Sequence, residues 1–269
     1  MSTYYALLAW QSWAILGRHV RVHLRKWHTA LLPPVCEPLI LLLAFGIGLG
    51  RQMGTLRWSD QELDYLAYLA PGMLAYTSFM TSFFQSLFSA YVRMHYQKAW
   101  EGQLTTQVRL EHVIWGEVLW AAGMATAYVV MVCVVLAIFG AMGLLQLHWW
   151  ALPLLVPLLM LGALAFATVG LLFTALLPSM DHMGLPFFLV IMPIAFISST
   201  YFPLPDSAWL GLLAVGNPLH HLAEAARHLL VNGEPTRHLL YAPLLCLLML
   251  AVLMPLDMHV LRRRVFGDH

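Results

Sequence analysis

An all-α membrane protein is the fold class the sequence predicts, with six transmembrane helices, an N-terminal interfacial helix and short external re-entrant helices. Three observations carry this reading. First, 61% of the 269 residues are hydrophobic and only 10% are charged, too little polar side chain to cover a water-soluble globule of this size. Second, the charges stand apart in long intervals without Asp, Glu, Lys or Arg, and such intervals reach the roughly 20 residues a helix needs to cross the hydrocarbon core. Third, the basic residues lie in blocks between those intervals, so the net charge of +1 conceals a strong segregation and gives no reason to expect nucleic acid as a partner.

The intervals give the elements in order. The interval between Asp64 and Arg93 holds a span over about 66–92. The charge-free interval from Glu117 to Asp181 is too long for one helix and fits two, about 118–140 and 151–177, joined near Gly140 to Trp150. Two further spans follow at about 184–202 and 239–260. The first span, about 31–50, is broken by Glu37 between Cys36 and Pro38. A carboxylate at that depth costs about 2.5–3.5 kcal/mol, so Glu37 is expected to face protein, water or a partner rather than lipid.

An even count puts both termini on one side. On that side lie Arg18, Arg21, Arg25, Lys26, Arg93, Lys98, Arg109 and the triplet Arg262 to Arg264, ten basic residues against four on the other side, Arg51, Arg57, Arg227 and Arg237. The positive-inside rule then makes both termini cytoplasmic, with 263–269 as a tail.

Three segments are not expected to span. Within 1–30, Trp10, Trp13 and Trp27 accompany a basic second half, and the apolar run before Arg18 is too short to cross, so an amphipathic helix in the cytoplasmic interface is expected. The alternative is a basic leader that orients the first span, and the charge-last order does not match a cleavable signal. The loop 94–116 carries QKAWEGQLTTQVRLEHVIWGE, in which Leu104, Val108 and Glu111 share a helical face while Gln107 and Arg109 lie on others. Such a helix suits a groove on a soluble partner; the alternative is a surface helix with none. In the external block 203–236, Pro203 and Pro205 stop a helix, Gly216, Asn217 and Pro218 start another, and Asn232 with Gly233 end it. Its dense apolar residues predict two short interfacial or re-entrant helices.

Candidate chemistry is sparse. His220, Glu224 and His228 repeat at i, i+4 and i+8, but a zinc helix of the HExxH kind needs its glutamate directly after the first histidine, so a polar stripe is expected rather than a metal. Ser198 and Ser199 stand in no GxSxG turn, and no catalytic residue is expected. Cys36, Cys133 and Cys246 lie in apolar runs without metal spacing and are expected to be packing thiols. The glycines of GIGLG and the run Gly162, Ala163, Ala165 and Ala167 offer small surfaces for close helix packing. There is no GxxxxGK[ST] sequence, so the chain does not bind ATP in the P-loop manner.

Taken in order, CEPLILLLAFGIGLG, LAPGMLAYTSF, WEGQLTTQVRLEHVIWGE and YFPLP…NPLHHLAEAARHLL resemble the membrane subunits of type-2 ABC exporters, in particular the branch of nodulation-factor exporter permeases. The resemblance covers nearly the whole chain. It implies a homodimer in the bacterial inner membrane, seated on two cytoplasmic ATPase subunits that use ATP and magnesium while this chain binds no cofactor. It also implies an amphipathic cargo, such as a lipid-linked saccharide or a drug. The coupling helix would lie at Glu101 to Leu110, making Glu101, Gln103, Leu104, Gln107, Val108 and Arg109 the ATPase-coupling residues. Pro203, Asn217, Pro218 and Glu224 would belong to the re-entrant block. Glu37, Tyr76, Phe79, Phe83, Phe84 and Phe196 are the expected pathway lining, since aromatic faces suit acyl chains and sugars. The alternative function is a membrane channel or assembly factor that works without ATP.

Overall fold

The computed structural model describes residues 4–25, 36, 38–205 and 207–267, without the side chains of Ile47, Arg51 and Met53. Glu37 lies outside the described residues, as do residues 31–35 of the expected first span.

Among the described residues, three helices are long and apolar enough to cross a membrane: Leu110–Ala141, Trp149–Leu176 and His238–Phe266. A fourth rod, Tyr65–Phe84, sits among them with buried side chains around most of its circumference. Its 20 residues measure about 30 Å, the thickness of a hydrocarbon core. It continues through wider π-helical turns at Gln85–Ser89 and Val92–Tyr96. Widening a helix frees carbonyls, and these find a partner: the Thr174 hydroxyl donates to the carbonyls of Ser86 (2.7 Å) and Leu87 (2.9 Å). Ser78 donates likewise to Leu159 O at 2.8 Å. These hydroxyls tie the central rod to the Leu152–Leu176 helix at a contact where Gly170 touches Phe83 and Ser86.

Small residues make that proximity possible. Ala163, Ala165 and Ala167 are fully buried, and Gly162 packs against Leu222. The small surface seen in the sequence therefore serves packing within the subunit. Cys133 and Cys246 are buried in the same interior. The last helix is attached along one side, leaving Leu240, Leu244, Leu247, Leu248 and Val252 exposed, which suits lipid and not water.

The helix ends define two caps. At one, here the turn end, Trp10–Leu24 lies along Leu110–Ala141, so close that Ile15 fills the space over Gly116. Ser12, Ile15 and His19 are its buried residues, while Trp10, Trp13, Val20 and Leu24 are exposed. At the other, the cap end, sit Ala208–Val215, Pro218–Arg227 and a β-hairpin.

That hairpin is a correction to the all-α expectation. Strands β1 (Thr55–Trp58) and β2 (Gln61–Asp64) pair antiparallel with Trp58 opposite Gln61. The two-residue loop, Ser59 and Asp60, has positive φ at both positions (47° and 62°), the geometry whose twist matches paired strands. A second difference concerns the expected span over 184–202. The apolar helix there covers Met180–Phe196, and the chain leaves it through Ser199, a non-glycine residue at φ 55°.

Candidate functional site

Residues expected to carry function fall into three places. The first is the turn end. After Lys98, which takes a left-handed φ of 51°, the coupling segment forms a helix only over Ala99–Leu104. Thr105 to Gln107 turn, Arg109 is extended (φ −98°, ψ 163°), and a new helix starts at Leu110. The expected common face of Leu104, Val108 and Glu111 is therefore not formed, because the backbone between them is not helical. Leu104 and Val108 are half-buried against the cluster around Trp100 and Leu110. Gln103 is half-buried as well. Glu101, Gln107 and Arg109 are exposed, so the outward surface of this segment is polar.

What fixes the turn is Glu117, which is 0% exposed. Its carboxylate accepts from Arg93 Nε at 2.9 and 3.0 Å, from Arg93 Nη2, and from Trp100 Nε1 at 3.0 Å. His19 of the Trp10–Leu24 helix approaches it at 3.5 Å. A buried carboxylate persists only when paired and hydrogen-bonded, so this one charge gathers the end of the central rod, the turn, the next long helix and the Trp10–Leu24 helix. The neighbouring Lys98–Glu101 pair is 62% exposed on both sides and contributes little.

The second place is the central rod's aromatic surface, and here the expected pathway set divides. Phe79 and Phe83 are fully buried: Phe79 packs edge to face on Phe166 at 4.6 Å, and Phe83 lies 6.4 Å from Phe173. Both are core residues, which removes them from a pathway lining. Four-residue spacing puts Tyr76, Met80, Phe84 and Phe88 on another face, each only partly buried. Tyr76 meets Tyr201 at 5.4 Å and Phe84 meets Phe187 at 6.2 Å. A cleft of roughly 310 Å³ runs along this face between Met80, Phe84, Gln85, Phe88 and Tyr128. Phe196 is 72% exposed, beyond that cleft's lining. Glu37 lies outside the described residues.

The third place is the cap end, where the expected polar stripe is present and larger than the sequence implied. Asn217 caps its helix by accepting from Leu219 N (3.0 Å), while its amide donates to Ile194 O (2.8 Å). Pro218 follows at the first helical turn and is buried, and Pro203 is half-buried and lines a second cleft, at this end, with Trp58, Ser199 and Glu224. Glu224 accepts from Arg227 Nη1 (2.5 Å), Ser199 Oγ (2.8 Å) and Trp58 Nε1 (2.9 Å). Arg227, 0% exposed, also donates to Tyr68 O (2.9 Å), Thr200 O (3.0 Å) and Ser199 O, and its guanidinium stacks 3.8 Å over the Tyr68 ring. Burial pushes the Glu224 carboxyl up, but Arg227, Ser199 and Trp58 outweigh it and hold it below the ordinary value. His220 and His228 line the same cleft as Glu224, and burial lowers both.

Arg227, Ser199, Tyr68, Trp58, Glu117 and Trp100 were not singled out by the sequence reading as members of these sites. For Glu117 and Arg93 a signal existed: each stands at the edge of a charge-free interval, where a charge meets apolar surroundings. For Arg227 it was the three-residue spacing from Glu224.

The family model of the ABC-2 type transporter matches residues 11–231, from the Trp10–Leu24 helix through the cap. Nodulation protein J of Rhizobium leguminosarum bv. trifolii is 36% identical over 194 residues, covering 72% of this chain and 71% of that protein. Nodulation protein J of Rhizobium leguminosarum bv. viciae is 31% identical over 238 residues, 88% of each chain. The inner membrane transport permease YadH of Escherichia coli (strain K12) is 24% identical over 226 residues, covering 82% and 84%. A bundle of apolar helices, matched along both its turn and its cap, thus belongs to the ABC-2 type transporter family as a membrane permease subunit similar to nodulation protein J.

Proposed function

We propose that this chain is the membrane half of an ATP-driven exporter, working as a homodimer on two cytoplasmic ATPase subunits, with both termini cytoplasmic. The turn end then faces the motor. The observation that carries this reading is the Glu117 junction: the exposed residues Glu101, Gln107 and Arg109 sit on a turn clamped through Trp100 to the ends of two long helices. A force applied to the turn moves those helices together, as a rigid link between motor and pathway requires. The remaining two spans of a six-span topology are the helix ending at Met53, which precedes the hairpin, and the Met180–Phe196 helix.

The half-open face of Tyr76, Met80, Phe84 and Phe88 is the pathway lining in this reading, closed by the same face of a second copy. Its mixture of aromatic rings with Thr81 and Gln85 suits a cargo with both acyl and polar parts, such as a lipid-linked saccharide. Co-expression with a candidate cytoplasmic ATPase and purification in detergent test the assignment. A stable complex whose ATP hydrolysis depends on this chain is expected, and Gln107→Trp is expected to break the complex without unfolding the membrane domain. Failure of every neighbouring ATPase to co-purify, with the permease itself folded, leaves the ATP-independent alternative.

A further inference from the structure

The sequence favours a polar stripe at His220, Glu224 and His228, but folding brings in a residue from another element. His238, at the start of the last long helix, lies against the pair His220 and His221, and one nitrogen from each of the three falls within 4.8 Å of the others. Their rings are 5.0 to 5.6 Å apart between centroids. His220 and His238 line the outward cleft of roughly 350 Å³ together with His228, so the group is reachable.

Hydrogen bonds fix the tautomers. His221 Nε2 faces the Val215 carbonyl at 2.9 Å, and a carbonyl only accepts, so Nε2 carries the proton and Nδ1 keeps its lone pair. That Nδ1 stands 2.8 Å from His238 Nδ1. His220 Nδ1 faces Ser199 Oγ at 2.9 Å and the Ser198 carbonyl at 3.3 Å. Ser199 gives its own hydrogen to Glu224 at 2.8 Å, so it accepts from His220, whose Nε2 keeps the lone pair. Metal-ligating imidazoles are held in this way, with the second ring nitrogen donating to a carbonyl or to a chain that ends on a carboxylate. Burial keeps His220 neutral, the form that ligates.

We propose that His220, His221 and His238 bind a borderline divalent transition ion such as Zn²⁺ at the cap end, joining the Pro218–Arg227 helix to the last long helix. An ion between the His221 and His238 Nδ1 atoms takes the place of the hydrogen that His238 Nδ1 donates there, and that hydrogen moves to His238 Nε2. Metal–nitrogen bonds of about 2.0–2.1 Å need only small ring movements from this arrangement. Glu224 is not a ligand, since both its oxygens are taken by Ser199, Arg227 and Trp58. A nitrogen-only donor set selects zinc, copper or nickel over magnesium and calcium.

The test is equilibrium dialysis of tag-free, detergent-solubilised permease against Zn²⁺, with metal measured by mass spectrometry. One ion per chain is expected, with no comparable uptake of Mg²⁺. His238→Gln is expected to weaken it by about tenfold or more, while His259→Gln on the exposed side of the same helix leaves it unchanged. Loading the wild type with Co²⁺ gives a reading independent of any variant's folding: an intense visible band of a nitrogen-ligated tetrahedral ion is expected. No zinc above the buffer, uptake unchanged by His238→Gln, or only the weak spectrum of hydrated cobalt overturns the site.

Discussion

A few buried charges hold this permease together, and they set the sharpest predictions. Replacing Glu117 by Ala leaves Arg93 beside a hydrogen-bonding centre that has lost its acceptor, and Trp100 Nε1 without its partner. Breaking a buried pair in this way costs about 3–5 kcal/mol. Glu117→Ala is therefore expected to lower the thermal midpoint of the detergent-solubilised chain markedly, whereas Glu101→Ala, at an exposed pair, is expected to change it little. At the cap end the pH dependence has a definite sign. His220 and His228 are depressed below 6.5 in the fold, so the unfolded chain takes up protons first as pH falls below that value, and stability declines. Glu224 is held below 4.5, so its contribution is present above that pH and is lost as pH falls further, through its folded value. Thermal melts from pH 7 to well below pH 4 are expected to show a decline in two stages, with the lower one reduced in Glu224→Gln.

Among the elements, close packing and strain decide what the chain tolerates. A Cβ placed at Gly170 meets Phe83 O at 2.5 Å and Leu87 N at 3.2 Å, and backbone atoms do not yield. Gly170→Ala is expected to destabilise the bundle by about 1–3 kcal/mol. Gly123→Ala, with nothing within 4 Å, is expected to be neutral or slightly stabilising in the same melt. Much of this level was legible beforehand. Charge-free intervals mark the long helices, because an apolar stretch of that length has no other solvent, and Asn217 with Pro218 marks a helix start that the structure retains. The β-hairpin was missed because four-residue strands leave no trace in a search for 20-residue intervals, although Ser-Asp between alternating residues is a turn signature. The coupling helix was drawn too long because spacing alone cannot tell a helix from a turn that ends at Thr105. Two of the six expected pathway residues are core because Phe79 and Phe83 occupy the buried side of the central rod, where Phe79 meets Phe166, and an aromatic residue looks the same in sequence on either face.

Taken whole, the permease is a bundle with a polar turn at one end and a braced cap at the other, joined by the central Tyr65–Phe84 rod. An ATPase that grips the turn requires those ends to lie on opposite sides of the membrane, with the turn inside. Asp60, at the exposed hairpin tip, and Gln107, in the exposed turn, report the two sides. Single cysteines at these positions, introduced with Cys36, Cys133 and Cys246 replaced by serine or alanine, are to be labelled with a membrane-impermeant maleimide in intact cells and in inverted vesicles. Asp60→Cys is expected to react only from outside the cell and Gln107→Cys only in inverted vesicles. Reaction of both from the same side, or of Gln107→Cys from outside, contradicts the proposal that this turn is where the ATPase grips.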